Sequence, residues 1–416
     1  MTTRWLFVDM NSYFASVEQQ LQPHLRGRPI GVIPLQAETT CCIAASYEAK
    51  RFGVKTGTSV AEARELCPGI QFVLSRTEQY VHFHKRIVKA VDSVLPVYQV
   101  HSIDEMSCQL DEREQDSRSA LAVGQQVKRA IRAQVGEMMI SSVGLAPNRL
   151  LAKVAAEMQK PDGLVLLRQD ELRERLATLQ LDDFPGIGSR MLRRFRAAGI
   201  YTTAQLLDSP RDRLREIWGG VVGERWWHLL RGEDIEEAPT KRRTVGHQHV
   251  LPPQLRTLKG AYSVLVRLIH KAGRRLRGIN YWAGMMTVQV DFLGSPRWTV
   301  TTRLGYIQDT QAMVGALELL WRGFPFTETP FRVSVTLHGL KSSQSCGPLL
   351  FPEQQRRTRI ARVMDAINEK LGTDALYLGA MHEVLEHAPD RIAFGYIPEV
   401  EGKSIKAGKS AGKPLH

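Results

Sequence analysis

The chain has 416 residues, 43% of them hydrophobic, enough for two to four domains of roughly 100–200 residues each. No apolar run nears the roughly 18 residues that span a membrane, the N-terminus has no leader pattern, and the five cysteines show no paired spacing. These features argue against a membrane protein, a disulfide scaffold and structural zinc, and lead us to expect a reduced, cytoplasmic protein. The net charge of +13 is concentrated in residues 240–341, where 15 Lys and Arg face 4 acids. That is the footprint of a polyanion. The segment lacks the basic helix faced with Trp, Phe and Leu that would suit a membrane surface, so nucleic acid is preferred.

In chain order, residues 1–10 read as a strand and Ser12 to Gln22 as a helix with Phe14, Val17 and Leu21 on one face. Short strands are expected at Pro29–Pro34 and Cys42–Ser46, and helices at Tyr47–Phe52 and Ser59–Cys67, the second stopped by Pro68-Gly69. A long helix from Glu78 to Leu95 leads into a strand from Val94 to Ile103. Next come a helix at Ser117–Val135, a strand at Met138–Leu145 and a helix at Asn148–Gln159, ended by the turn Lys160-Pro161-Asp162-Gly163. Strands and helices alternate without a strict parallel pattern, so the class is α+β and multidomain.

From Asp170 to Arg231 the chain reads as helical. The acidic stretch Glu233 to Glu237 then gives way to Thr240-Lys241-Arg242-Arg243-Thr244, a charge reversal without apolar periodicity that reads as a linker. Beyond it lie a helix at Leu255–Gly278, strands at Met285–Phe292, Trp298–Leu304 and Phe331–Leu337, and a helix at Thr310–Arg322 between the last two strands. An amphipathic helix (Arg356–Leu371), an apolar strand (Ile392–Pro398) and a disordered basic tail (403–416) complete the chain.

Two acidic motifs carry the chemistry. Asp9 follows the apolar run Trp5–Val8, and Asp104-Glu105 follows the run ending at Ile103. An Asp after a strand is often only a turn residue. Carboxylates at the ends of neighbouring strands can instead converge, and three of them repel one another unless a cation lies between. Hard oxygen ligands favour Mg²⁺ shared with phosphates, and two such ions clamp an in-line displacement at phosphorus. Pro185-Gly186-Ile187-Gly188 precedes a basic helix carrying Arg190, Arg193, Arg194 and Arg196. It reads either as a phosphate-contacting hairpin or as a plain αα-turn. Tyr47, Lys50 and Lys160 are candidate triphosphate ligands.

These pieces occur together and in order in one family. The strings Val8–Glu18, Ala45–Val54, Ser102–Glu105, Ser142–Lys153 with Lys160–Gly163, and Pro185–Gly188 resemble the Y-family translesion DNA polymerases, closest to the DinB (DNA polymerase IV) type. The match covers about residues 4–341.

The resemblance implies a right-hand architecture: palm (1–10 and 77–166), fingers (11–76), a thumb with a helix-hairpin-helix (167–235), a linker (236–243) and an α/β little finger (244–341). A C-terminal extension (342–402) would follow. Asp9, Asp104 and Glu105 would be catalytic and would hold two Mg²⁺ ions, or Mn²⁺ in their place, with the Met10 carbonyl as a further ligand. Phe14 would be a steric gate against the sugar 2′-hydroxyl. Tyr47, Lys50, Lys160 and the backbone near Tyr13 and Phe14 would bind the triphosphate, and Gly186, Gly188, Lys241, Arg242 and Arg243 would contact DNA.

The partners implied are primer-template DNA and deoxynucleoside triphosphates, with no membrane and a monomeric chain. Residues 348–351 resemble a degenerate sliding-clamp peptide, with contacts through Leu349, Leu350 and Phe351; an ordinary hydrophobic strand is the alternative.

The chain departs from the family pattern in four places. Lys50 stands where Arg is usual, so charge is kept but bidentate geometry is lost. Ala44 stands where a hydroxyl is common, Cys41 and Cys42 occupy the loop expected over the nascent base pair, and Met106-Ser107-Cys108-Gln109 replaces Ala-Tyr-Leu-Asp. Two rivals remain open: a non-catalytic adaptor, expected to have lost its acids, and an architectural DNA-binding protein, which leaves the acids unexplained. Within the family, a subtype that needs accessory proteins is also open.

Overall fold

The computed structural model describes residues 3–38, 40–236, 243–294, 296–324, 328–347 and 349–388. They divide into two compact units, one up to residue 236 and one from residue 243. Among the described residues no helix is long and apolar enough to cross a membrane.

In the first unit, Trp5–Met10 (β1) is buried at every position. Ser12, in the left-handed conformation, turns the chain into Tyr13–Leu21 (α1). Ile30–Ile33 (β2), Ala44–Ala45 (β3), Tyr47–Lys50 (α2), Val60–Leu66 (α3) and Gln71–Leu74 (β4) follow. β2 is the centre of a three-stranded sheet, antiparallel to β3 and parallel to β4. The hydroxyls of Ser46 and Ser59 cap α2 and α3, accepting from the N–H groups of Ala49 and Glu62.

Thr77–Asp92 (α4), Val97–Val100 (β5), Glu105–Gln109 (β6), Ser117–Gln134 (α5), Ser141–Ala146 (β7), Arg149–Met158 (α6) and Leu164–Leu166 (β8) build the main layer. Its five-stranded sheet runs β5-β6-β1-β7-β8, with only the β7–β8 pair parallel. Alternation along β1 divides the core. Leu6, Val8 and Met10 pack with Phe83, Ile87, Val127 and Ile131 of α4 and α5. Trp5 and Phe7 pack on the opposite face with Leu151, Val154 and Ala155 of α6.

The helices Leu172–Ala177 (α7), Ser189–Ala197 (α8), Thr203–Asp208 (α9), Arg211–Trp218 (α10) and Val221–Leu229 (α11) share that second core. Phe195, Trp218 and Trp226 form its aromatic centre, with Trp218 and Trp226 stacked at 5.0 Å. Two long-range bonds fasten the end of this segment. Trp5 Nε1 donates to Asp234 at 2.8 Å, and Asn148 Nδ2 donates to the Leu229 carbonyl at 2.8 Å.

The second unit comprises Thr244–Val250 (β9), Leu258–Gly278 (α12), Tyr281–Phe292 (β10), Trp298–Ile307 (β11), Thr310–Trp321 (α13), Pro330–Ser342 (β12) and Pro352–Leu371 (α14). Its antiparallel sheet runs β11-β10-β12-β9. Residues set apart in the sequence as an extension belong to this core, because Met381, Val384 and Ala388 are buried in it. Two ion pairs bind them as well. Arg277 reaches Asp365 through Nε and Nη2 at 2.5 and 2.8 Å, and Arg267 reaches Asp374 at 2.9 Å. Lys241, Arg242, the apolar stretch 392–398 and the tail 403–416 lie outside the described residues.

Several expected bounds moved. The single strand expected from Val94 to Ile103 is β5 followed by a turn, with the N–H groups of His101 and Ser102 both donating to the Glu105 carbonyl. Strands β4, β8 and β9 were not expected: β4 (QFVL) and β8 (LVL) are apolar but only four and three residues long, and β9 (TVGHQHV) is polar and begins at Thr244, where the charge-reversal stretch ends.

Gly144 sets how closely α6 approaches the sheet. A Cβ there would lie 2.0 Å from the Ala152 carbonyl oxygen and 2.4 Å from the Ala156 nitrogen. Gly144→Ala is therefore expected to lower stability by at least about 1–3 kcal/mol, read by denaturant unfolding of the full chain, because the obstacle is backbone and not a movable side chain.

Asp291 on β10 accepts from Arg297 at 2.5 Å and pairs with Arg332. Burial alone would raise its carboxyl, but the two guanidiniums outweigh burial and hold it below the ordinary carboxylate value. A depressed folded-state pKa stabilises the fold above the unfolded value of about 3.9 and stops doing so as pH falls through the folded value. Asp291→Asn should cost about 1–3 kcal/mol at neutral pH. The gap to wild type should close below about pH 4, measured by hydrogen exchange of the β10 amides.

Candidate active site

Period-two alternation puts Asp9 on the face of β1 that carries Trp5 and Phe7, beneath α6. Asp9 pairs directly with Glu105 of β6, so the two carboxylates share that face. Met10 points the other way into the opposite core, 2% exposed, which leaves its backbone as the only group it can offer here. Its N–H donates to the Asp104 carbonyl at 2.9 Å. Asp104 sits in the β5–β6 turn and Glu105 opens β6, so the acidic pair begins a strand where the sequence suggested it would end one. Ser102 fixes the turn, its hydroxyl donating to Asp104 Oδ1 at 2.5 Å.

Lysines meet the carboxylates. Lys153 Nζ lies 2.6 Å from Glu105 Oε1, and Lys160 Nζ lies 2.7 Å from both Asp9 Oδ1 and Glu157 Oε1. Lys153 and Glu157 are one turn apart on α6, on the face that Gly144 draws down to the sheet. The loop bearing Lys160 is tied back by Asn11, whose Oδ1 accepts from the Asp162 N–H at 2.9 Å and whose Nδ2 donates to Ser142 Oγ at 3.1 Å.

Burial pushes the Asp9 carboxyl up to about 7, with Lys160 opposing the rise and Glu157 and Asp104 adding to it. Asp104 is also raised, first by burial, and Glu105 adds to the effect. Lys160 is raised: burial disfavours its charge, but the Asp9 and Glu157 carboxylates more than compensate.

These are anionic oxygen donors in an environment that a hard divalent cation would relieve. Among the described residues no three His, Cys, Asp or Glu side chains converge enough to hold a metal ion. Asp9 and Glu105 are turned to Lys160 and Lys153, and convergence requires them to leave those partners.

The N-terminus of α1 lies beside this edge. Among the described residues no side chain caps it, and Ser12 Oγ is buried with no hydrogen-bond partner there. First-turn N–H groups left in this way suit an anion. The Tyr13 side chain is buried and donates its hydroxyl to the Tyr80 carbonyl at 2.5 Å, so Tyr13 offers the site only its backbone. Phe14 is half-buried, its ring stacked on Tyr80 at 4.4 Å.

From α2, the Lys50 ammonium lies 4.4 Å above the Tyr47 ring. Desolvation and then the Lys160 charge lower Lys50. The Tyr47 phenol is raised by burial; it bonds Asn11 and feels Lys160 and Asp9. Tyr47, Lys50 and Lys160 thus gather on one side of the carboxylates. Ala44 is buried in β3, Cys42 is buried and Cys41 is exposed.

A cleft of about 850 Å³ joins Glu105, Lys153 and Glu157 to the turn containing Gly186, Ile187 and Gly188. A short 3-10 turn at Leu181–Asp183 precedes it, in place of a full helix. Gly186 has φ +97°, the left-handed region that glycine tolerates. Gly188 caps α8 without a side-chain bond, and Arg190, Arg193 and Arg196 are exposed behind it. Arg243 is exposed in the second unit, as are Leu350 and Phe351, at 81% and 62%.

Lys153, Glu157, Asn11 and Tyr80 were not assigned roles from the sequence. The i, i+4 spacing of Lys153 and Glu157 on a helix whose other face is apolar was the available signal. Nothing local marks Asn11 or Tyr80, because their partners are distant in the chain.

The model of the impB/mucB/samB family matches residues 8–157, and that of the same family's C-terminal domain matches residues 242–348. DNA polymerase IV of Moorella thermoacetica is 34% identical over 383 residues, covering 89% of this chain and 94% of that protein. DNA polymerase IV of Bacteroides fragilis is 30% identical over 292 residues, covering 69% of this chain and 78% of that protein. Among solved structures, a chimeric Y-family DNA polymerase aligns with a TM-score of 0.68 at 25% identity, over 81% of this chain and 98% of its own. DinB from Sulfolobus solfataricus aligns with a TM-score of 0.51 at 25% identity, over 80% and 98%. The fold and these matches define a Y-family DNA polymerase. The chain belongs to the impB/mucB/samB family, as a DNA-directed DNA polymerase of the DinB type.

Proposed function

We propose that the chain is a template-directed, low-fidelity polymerase for translesion synthesis, extending a primer 3′-hydroxyl by two-metal-ion nucleotidyl transfer. The observation that carries this reading is the in-register pair Asp9 and Glu105, with Asp104 adjacent. It opens on one side to the cleft and on the other to Tyr47, Lys50, Lys160 and the uncapped α1 N-terminus. Two solved relatives are ternary complexes, one an insertion ternary complex of Dbh DNA polymerase and the other a Dbh ternary complex with partially disordered substrates. By analogy, primer-template DNA and a deoxynucleoside triphosphate meet here, with the primer end in the cleft.

Asp9, Asp104, Glu105 and the Met10 carbonyl would hold Mg²⁺. Bound there, such ions would lower the pKa of the primer hydroxyl and offset the charge of the leaving pyrophosphate. The protein's own groups do the rest. Lys160 exchanges its carboxylate partner for phosphate, and Lys50 and Tyr47 approach the triphosphate from α2. The N–H groups of Tyr13 and Phe14 donate to its oxygens, and the Phe14 ring packs on the sugar and excludes a 2′-hydroxyl by overlap.

Residues 1–10 and 77–166 are read as palm, 11–76 as fingers, 167–235 as thumb and 244–341 as little finger. The small three-stranded fingers layer leaves room for damaged bases at the expense of fidelity. Gly186, Gly188 and the neighbouring arginines hold primer phosphates, and Arg243 with the basic second unit adds sequence-independent, salt-dependent grip. The exposed Leu350 and Phe351 suit insertion, with Leu349, into a groove on a sliding clamp.

Primer extension on an undamaged template with Mg²⁺ and four deoxynucleotides tests the core of this reading. The wild type should extend, and Asp104→Ala should lose at least about a hundredfold in rate. DNA binding without extension by the wild type would replace polymerase with adaptor. Phe14→Ala should raise ribonucleotide incorporation relative to deoxynucleotide by about a hundredfold, measured by single-nucleotide insertion, and an unchanged ratio would remove the gate.

A further inference from the structure

A gate that works by overlap works only if it cannot retreat, and what stands behind Phe14 is Tyr80. The two rings are stacked at 4.4 Å with 20° between their planes. Tyr80 is 1% exposed and anchored at two points: its hydroxyl donates to Glu18 Oε1 at 2.8 Å, and its carbonyl accepts from the Tyr13 hydroxyl at 2.5 Å. Glu18 is itself fully buried, an unusual setting for a carboxylate. Arg76 meets it with two nitrogens, Nε at 3.1 Å and Nη2, and Gln22 Nε2 donates to it at 2.9 Å.

Phe14 and Glu18 are one turn apart on α1, so the gate and the anchor of its backstop share one helix face. Two chain segments, α1 and the start of α4, are thereby locked around one aromatic pair. Among the described residues none of these groups is hydrogen-bonded to Asp9, Asp104 or Glu105. Glu18 is buried while Arg76 is exposed, and a pair of this kind is weak evidence for stability and better evidence for a fixed geometry.

We propose that Glu18 and Arg76 are positioning residues for sugar discrimination, holding the Tyr80 ring as a rigid backstop against which Phe14 is pressed. The inference rests on the reading of Phe14 as the gate. Burial, and then Glu18, push the Tyr80 phenol well above its ordinary value, so it remains a donor to Glu18 throughout the working pH range. Without that bond the Tyr80 ring gains room to tilt, and Phe14 can follow it away from a 2′-hydroxyl.

The test is single-nucleotide insertion by the full chain, comparing a ribonucleotide with its matching deoxynucleotide, for wild type, Phe14→Ala, Tyr80→Phe and Glu18→Gln. Tyr80→Phe and Glu18→Gln should each raise the ribonucleotide-to-deoxynucleotide ratio of kcat/KM by about tenfold. The double variant should add little to either single change, because Tyr80→Phe removes and Glu18→Gln weakens the same hydrogen bond. The deoxynucleotide value alone should stay within about threefold of wild type.

A purely structural role would depress both sugars together and leave the ratio fixed; that outcome overturns the proposal. Should Glu18→Gln fail to fold, Tyr80→Phe, which removes a single oxygen, decides alone. An unchanged ratio in Phe14→Ala refutes the gate and this inference with it. An open Phe14→Ala beside an unchanged Tyr80→Phe refutes only the backstop.

Discussion

Everything around the active site follows from burying a carboxylate at the end of a strand that is covered on both faces. β1 has no solvent side, so Asp9 falls on the α6 face by alternation and shares it with Phe7. Burial alone would neutralise it, and the fold answers with positive charge. Lys160 comes from the turn after α6, held in place by Asn11, while Lys153 from α6 meets Glu105 in the same way. Gly144 makes this possible, since α6 could not otherwise lie low enough on the sheet for its lysine to reach the β6 carboxylate. Glycine, helix, lysines and acids are one construction.

That construction also suits the family's chemistry. A free enzyme with three neighbouring acids must neutralise them somehow, and ammonium groups on pliable side chains are reversible counter-ions. The cleft running from Glu105 to the Gly186 turn gives the same edge an open side. The second unit keeps its chemistry simple: an antiparallel sheet, basic side chains and, among the described residues, no carboxylate cluster like that of the first.

Much of this was legible in the sequence where periodicity was strong. α4, α5, α6 and α12 fell within a few residues of their expected bounds, because long amphipathic faces announce themselves. Short strands did not: β4 and β8 are apolar but only four and three residues long, β9 is polar, and all three are defined by hydrogen bonding to neighbours that no local window contains. The Asp104-Glu105 motif stood out, yet its place in a turn depended on the Ser102 hydroxyl and on the hairpin register. The Tyr13 side chain is a pillar, its hydroxyl donating to a carbonyl 67 positions away, which leaves only its backbone for the role expected of it. Lys153 and Glu157 were visible only as a helix face until the sheet beneath them was known.

The charge reading needs a similar adjustment. Of the 15 basic residues between 240 and 341, Arg267 and Arg277 are buried and paired with Asp374 and Asp365, and Lys259 pairs with Glu383 at 2.6 Å. Those acids come from the segment that the sequence set aside as an appendage. The folded unit in this half of the molecule is therefore longer than the match to the family's C-terminal model, which ends at residue 348. A recombinant that grafts residues 244–341 alone onto another polymerase would carry two guanidiniums stripped of their counter-charges into a hydrophobic interior, whereas a graft running to residue 388 would travel as a self-sufficient piece.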